Sequence, residues 1–108
     1  MATTYKVLGQ SNPAAATLTT LYTVPGATSA VCSTLAICNQ GVSTTCRVAI
    51  RPAAASIVAQ HYIVFDATIN GVDTMFLTLG VTLAATDVVS VYAGTSTCSF
   101  NLYGSEIT

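Results

Sequence analysis

His61 is the only imidazole in the chain, and so the only side chain whose ordinary pKa suits proton transfer near neutrality. A nucleophile needs a base beside it. His61 stands at the opening of an expected strand, next to Tyr62, where it reads as a surface or capping group. There is no GxSxG elbow and no Gly-rich phosphate loop; Gly94-Thr95-Ser96 reads as an ordinary hairpin turn. The carboxylates are Asp66, Asp73, Asp87 and Glu106. Asp73 and Asp87 fall at turns, where aspartate hydrogen-bonds its own backbone. Asp66 falls mid-run between Phe65 and Ala67. It either lies on a solvated face or pairs with Arg47 or Arg51, on a neighbouring sheet face or across an interface. A desolvated pair there adds specificity more than stability. The reading is of a protein that is not an enzyme.

The four cysteines are Cys32, Cys38, Cys46 and Cys98. Cys32 and Cys38 fall on one expected strand, about 20 Å apart, too far for a disulfide. No CxxC pair accompanies the lone His, so neither a closed zinc site nor any other cofactor is expected. The thiols read as small apolar core residues, with a Cys46–Cys98 bridge across two strands as the alternative. Tyr5, Tyr22, Tyr62, Tyr92 and Tyr103 have the rings to stack on sugars, but Trp is absent and carboxylates are few, so core or interface positions suit them better.

These residues are positioned by an unusual background. Only 6% of the 108 residues are charged and 52% are hydrophobic, with a formal net charge of −1. A soluble domain ordinarily carries charge on roughly a quarter of its residues. A monomer of this mass exposes roughly 5,600 Å², or one charge per about 800 Å². Weak charge promotes association, so the chain reads as a subunit covered by copies of itself or by a partner. Lys6, Arg47 and Arg51 are its only cations, too few for phosphate-driven nucleic-acid binding. Its longest apolar runs, such as Ala53 to Ala55 and Tyr62 to Phe65, fall far short of the roughly 20 residues of a membrane helix. The opening MATTYKVLGQ lacks the basic and apolar regions of a signal peptide, so the expected site of synthesis is the cytoplasm.

Thr, Val, Tyr, Phe and Ile come in short runs broken by Gly, Pro, Asn and Asp, which is a strand-and-turn pattern. Eight strands are expected: 4–8, 17–24, 28–38, 44–51, 61–69, 74–83, 88–93 and 96–103. Gln10 to Pro13 reads as a turn, Asn70-Gly71 as a turn of positive φ, and Glu106 to Thr108 as a tail. Residues 53–60 read as a loop or a single helical turn after Pro52. Cys46, Val48 and Ile50, then Met75, Leu77, Leu79 and Val81, then Cys98, Phe100 and Leu102 alternate with Thr, Ser, Ala, Arg and single aromatics, so each strand has one apolar face. The expected fold is all-β: one β-sandwich or jelly-roll-like domain over residues 1–108, with about eight antiparallel strands. Charge is too scarce to guard many sheet edges, and unguarded edges suit assembly.

Five segments together carry a resemblance: Thr4-Tyr5-Lys6-Val7-Leu8-Gly9-Gln10; Leu21-Tyr22-Thr23-Val24-Pro25 with Ala27 to Val31; Cys46-Arg47-Val48-Ala49-Ile50-Arg51-Pro52; Leu77 to Leu83 with Ala84 to Asp87; and Leu102 to Thr108. The chain resembles small virion structural proteins of tailed bacteriophages, especially cyanophages, and within that group a capsid cement (decoration) protein. Related LYTVP strand patterns occur in phage tail and baseplate proteins. The resemblance implies a β-sandwich subunit, commonly trimeric, on the outside of the head where major capsid proteins meet, clamping the expanded lattice against internal pressure. The partners it implies are other copies of the chain and the major capsid protein. The termini, Thr4 to Leu8 and Ser105 to Thr108, are short and read as free to add to a neighbouring edge. The interface candidates are Tyr5, Lys6, Leu8, Arg47, Arg51, Asp66, Glu106 and Ile107. A tail, fibre or baseplate module that touches a receptor is the alternative.

Overall fold

A computed structural model describes residues 2–108. Eight strands form in chain order: β1 (Thr3–Ser11), β2 (Thr19–Thr23), β3 (Ser29–Asn39), β4 (Thr44–Arg51), β5 (Tyr62–Ile69), β6 (Asp73–Leu83), β7 (Val88–Ala93) and β8 (Cys98–Ile107). Each expected strand is present. Among the described residues the only helical elements are two 3₁₀ turns, Pro52–Ala54 and Ala59–His61, at the two ends of the Ala-rich stretch. Eight alanine-rich residues after a proline cannot offset the cost of helix nucleation.

The strands make two four-stranded sheets. Sheet A has the order β1-β8-β3-β6 and sheet B the order β2-β7-β4-β5. β1 pairs with β8, β2 with β7, β3 with β6 and β4 with β5, all antiparallel. The chain is thus one long ribbon, doubled back at residues 52–61 and rolled so that alternate segments fall in opposite sheets. That winding is a jelly roll.

It also revises three turn readings. Asn70-Gly71 and Gly94-Thr95 join strands that lie in different sheets, so neither closes a hairpin. Positive φ near the first falls on Val72 (φ 50°) instead. Gln10 and Ser11 continue β1, paired with Asn101 and Phe100, because β8 offers them a partner. For the same reason Glu106 and Ile107 belong to β8, not to a tail, and Ala2 and Thr108 exchange both backbone hydrogen bonds at 2.9 Å.

The core lies between the sheets. Leu35, Ile37, Phe100 and Leu102 of sheet A face Val48, Val89 and Val91 of sheet B, all fully buried. Close approach of the strands demands small residues in places. A Cβ on Gly104 would run into the carbonyl of Val31 on the neighbouring strand.

All four edge strands carry register shifts. Leu8 is the extra residue in β1 and Leu21 in β2. In β5 the pairing shifts on both sides of Val48, at Ile63 and at Phe65–Asp66. In β6, Leu79 and Gly80 (φ +64°) oppose Ser33 alone. Bulges twist an edge away from further pairing. The expectation of unguarded edges is therefore corrected: backbone irregularity guards them where charge does not. A shift at Ser33 also reverses the alternation within β3, so that Cys32 points into the core while Cys38 points outward.

Candidate interaction surfaces

The outer faces of the two sheets differ in kind. On sheet B, Arg47, Ala49 and Arg51 of β4 and Val88, Ser90 and Tyr92 of β7 point away from the core. Ala49 and Ser90 are nevertheless fully buried, because residues 52–61 fold back over them. Arg51 holds that segment down, donating from Nε to the carbonyl of Ala55 (2.7 Å), from Nη2 to that of Ala54 (3.3 Å) and from Nη1 to Ser90 Oγ (3.3 Å). Asp87 helps, accepting from the Ala53 N–H (2.8 Å) on Oδ1 and from the Ala84 N–H (2.9 Å) on Oδ2. His61 is buried, and its Nδ1 accepts from the Val58 N–H at 3.2 Å. This is a capping role.

Beyond that cover, Arg47 stands in a compact group. Its Nε and Nη2 donate to the two oxygens of Asp66, at 2.6 and 3.2 Å. Its Cζ lies 4.3 Å from the ring centroids of both Phe65 and Tyr92, within cation–π range. Tyr62 meets Phe65 edge-on, with centroids 5.0 Å apart. Asp66 reaches Arg47 because it occupies the β5 bulge in a left-handed conformation, φ +53°, which aspartate tolerates better than most residues. The hydrogen bond from Arg47 holds the Asp66 carboxyl below its ordinary pKa, and the same bond raises that of the guanidinium. Of the two partners open to Asp66, Arg47 is the one the structure brings to it.

The outer face of sheet A is bare. Residues opposite one another in register share a face, which places Tyr5, Val7, Tyr103, Ser105, Ile107, Val31, Thr34, Ala36, Cys38, Phe76, Thr78 and Thr82 together on the outside. The charged residues of these strands, Lys6, Asp73 and Glu106, all fall on the opposite register and face the other way. Among the described residues this face has no formal charge. It exposes Tyr5 (84%), Phe76 (70%), Val7 (45%) and Tyr103 (37%).

Among the interface candidates, Tyr5 and Ile107 lie on this bare face, and Arg47 and Asp66 on the opposite side of the sandwich. Leu8 is not available to a partner: its bulge turns it into the core, 9% exposed. Arg51 is spent on residues 54, 55 and 90. Lys6 and Glu106 bind each other at 3.1 Å, and Tyr22 Oη donates to Glu106 Oε2 at 2.5 Å. These contacts lower the Glu106 pKa, Tyr22 contributing most; burial first, then Glu106, raises that of Tyr22. Of the two termini, Ser105 to Thr108 is not free to add to a neighbour, since β8 lies between β1 and β3; Thr4 to Leu8 lies on the edge strand β1, bulged at Leu8, with one side unpaired. Phe76, Val7 and Phe65 lay outside the candidates. Phe76 was legible from its alternation with Met75 and Leu77; the Phe65–Asp66 bulge had no sequence signal.

Asp73 is the first residue of β6, paired with Asn39, and not a turn residue as expected; it accepts from the Thr74 N–H at 2.8 Å. The four thiols are free. Burial pushes Cys32 and Cys46 up to about 11, with Cys98 and Asp66 adding to the shift at Cys46. No group of three or more His, Cys, Asp or Glu side chains is placed to hold a metal ion among the described residues, and no helix there is long and apolar enough to cross a membrane. Comparison with protein-family models, with curated proteins and with solved structures found no match.

Proposed function

We propose that this chain is a non-enzymatic structural subunit of a phage virion, a cement protein that packs against other subunits on the outside of the head and stabilises the mature lattice. The observation that carries this reading is the bare outer face of sheet A, uncharged and set with Tyr5, Val7, Phe76 and Tyr103. A free monomer gains nothing from such a face, whereas a subunit buried in an assembly does. The jelly roll supports the reading only by analogy, since the same fold serves capsid and lectin domains alike. A subunit that binds only the expanded lattice stabilises that lattice by mass action, and linked copies add avidity.

Heads lacking this chain, mixed with the purified protein, test the proposal. Saturable binding at hundreds of copies per head, as symmetric assembly requires, with improved survival of heat or low salt, is the expected result. Density for the chain confined to the tail in a cryo-EM map of the virion would overturn it.

A second reading, a receptor-binding module of tail, fibre or baseplate, is favoured by one observation. Phe65, 58% exposed, stands beside the Asp66 carboxylate and the Arg47 guanidinium, a mixture of ring face and polar groups that suits sugars. Glycan-array binding by wild type that Phe65→Ala abolishes supports this second reading over the first.

A further inference from the structure

We infer that the occupant of the bare face of sheet A is the same face of a second copy, so that the subunit is a closed twofold pair. The inference rests on the proposal that this face is covered in an assembly. It adds what covers it and with which symmetry.

Three observations lead there. The first is charge. Lys6, Asp73 and Glu106, the charged residues of the four strands, are all directed to the other side. A charged partner laid on this face would lose its hydration and find nothing to pair with. An identical face brings no charge to desolvate and none to repel.

The second is extent. Four strands at about 4.8 Å spacing and ten residues at about 3.3 Å give a footprint of roughly 600 Å². Two copies together cover roughly 1,200 Å², where specific and stable interfaces begin. Sheets pack face to face with their strands within about 30° of each other, so a twisted four-stranded face is a proper complement to its own image.

The third is that there is only one such face among the described residues. A threefold ring joins two different patches on each subunit, whereas a twofold joins one patch to itself. The other sheet's outer face is partly covered by residues 52–61 and carries Arg47, Arg51 and Asp66. The edges of both sheets are bulged. Neither offers a second uncharged face of this kind among the described residues, so we take the twofold pair in place of the trimer that the resemblance implies. In that dimer the two Arg47–Asp66 groups point outward on opposite sides, leaving both free for a larger assembly.

Sedimentation equilibrium of the full chain at micromolar concentration provides the test. The expected mass is twice the 11.0 kDa of one chain. Phe76→Asp and Tyr103→Asp put a charge on the face and its copy, and each is expected to weaken the dimer at least tenfold while the circular dichroism spectrum stays as in wild type. Val42→Asp, at an exposed position in the connection between the sheets, is expected to leave the dimer intact. A monomeric or trimeric wild type overturns the inference, as does a dimer that both face variants leave unchanged. Head binding is measured separately, so a dimer that fails to bind heads defeats the functional proposal and leaves this one standing.

Discussion

Arg47 holds Asp66 with two parallel N–H···O contacts, and it can do so only because Asp66 sits in a left-handed backbone conformation at a bulge of the edge strand β5. The pair therefore joins two costs and two gains: a strained φ against an ordered edge, and an ordered guanidinium against a pair of charge-assisted bonds. Replacement at residue 66 separates them. Asp66→Ala loses the pair and keeps a Cβ in the left-handed region, whereas Asp66→Gly loses the pair and relieves the strain. The glycine variant is expected to melt several degrees higher than the alanine variant. Equal melting temperatures would show that the bulge relaxes once the pair is gone.

Acid should weaken the fold through two carboxyls. Asp66 and Glu106 both have pKa values lowered in the folded state, by Arg47 and by Tyr22 with Lys6 respectively. Their contribution is complete above the ordinary carboxylate pKa of about 4, and it is lost as pH falls through the folded values. Tyr22, Cys32 and Cys46 shift the other way. Their contribution is complete below their ordinary values and fades as the unfolded chain ionises above about pH 9. Urea midpoints measured from pH 3 to pH 10.5 are expected to form a plateau near neutrality with a fall on each side. Glu106→Gln should flatten the acid side, and Tyr22→Phe the alkaline one.

Thiol reactivity should sort by the reversal at Ser33. Cys32, Cys46 and Cys98 are fully buried and Cys38 is partly exposed on the outer face. A thiol-specific reagent at pH 8 is expected to label Cys38 within minutes in the native monomer and the remaining three only on unfolding. If the sheet A faces pair as inferred, labelling of Cys38 should slow as protein concentration rises.

Gly104→Ala tests the closeness of β8 to β3. The added methyl would meet the Val31 carbonyl, a backbone atom that cannot swing aside. A loss of roughly 2–4 kcal/mol is expected in chemical denaturation, at the upper end for single substitutions. A loss under about 0.5 kcal/mol would mean that β8 shifts freely.

Asp87→Ala removes both acceptors that tie the Ala53 and Ala84 N–H groups. Faster amide exchange at residues 52–61 and at Ala84 is the expected outcome, with a cost of roughly 1–2 kcal/mol in global stability. Unchanged exchange at Ala53 would show that Arg51 alone holds the segment.

The sequence by itself determined the all-β class, the number of strands and most of their inward residues. Alternation and turn chemistry are local, and Cys98, Phe100 and Leu102 announce their face without help from any other strand. The scarcity of charge likewise announced a surface to be covered. Which surface was a tertiary decision. The pairing of β1 with β8 and the doubling back at residues 52–61 are non-local, so nothing within one strand reveals them. Bulges were equally hidden, because an extra residue has meaning only against a partner strand. They turned Leu8 inward and Cys38 outward, and set Asp66 against Arg47. Packing left one sheet partly covered by its own chain and the other bare, through contacts that only the rolled ribbon brings together.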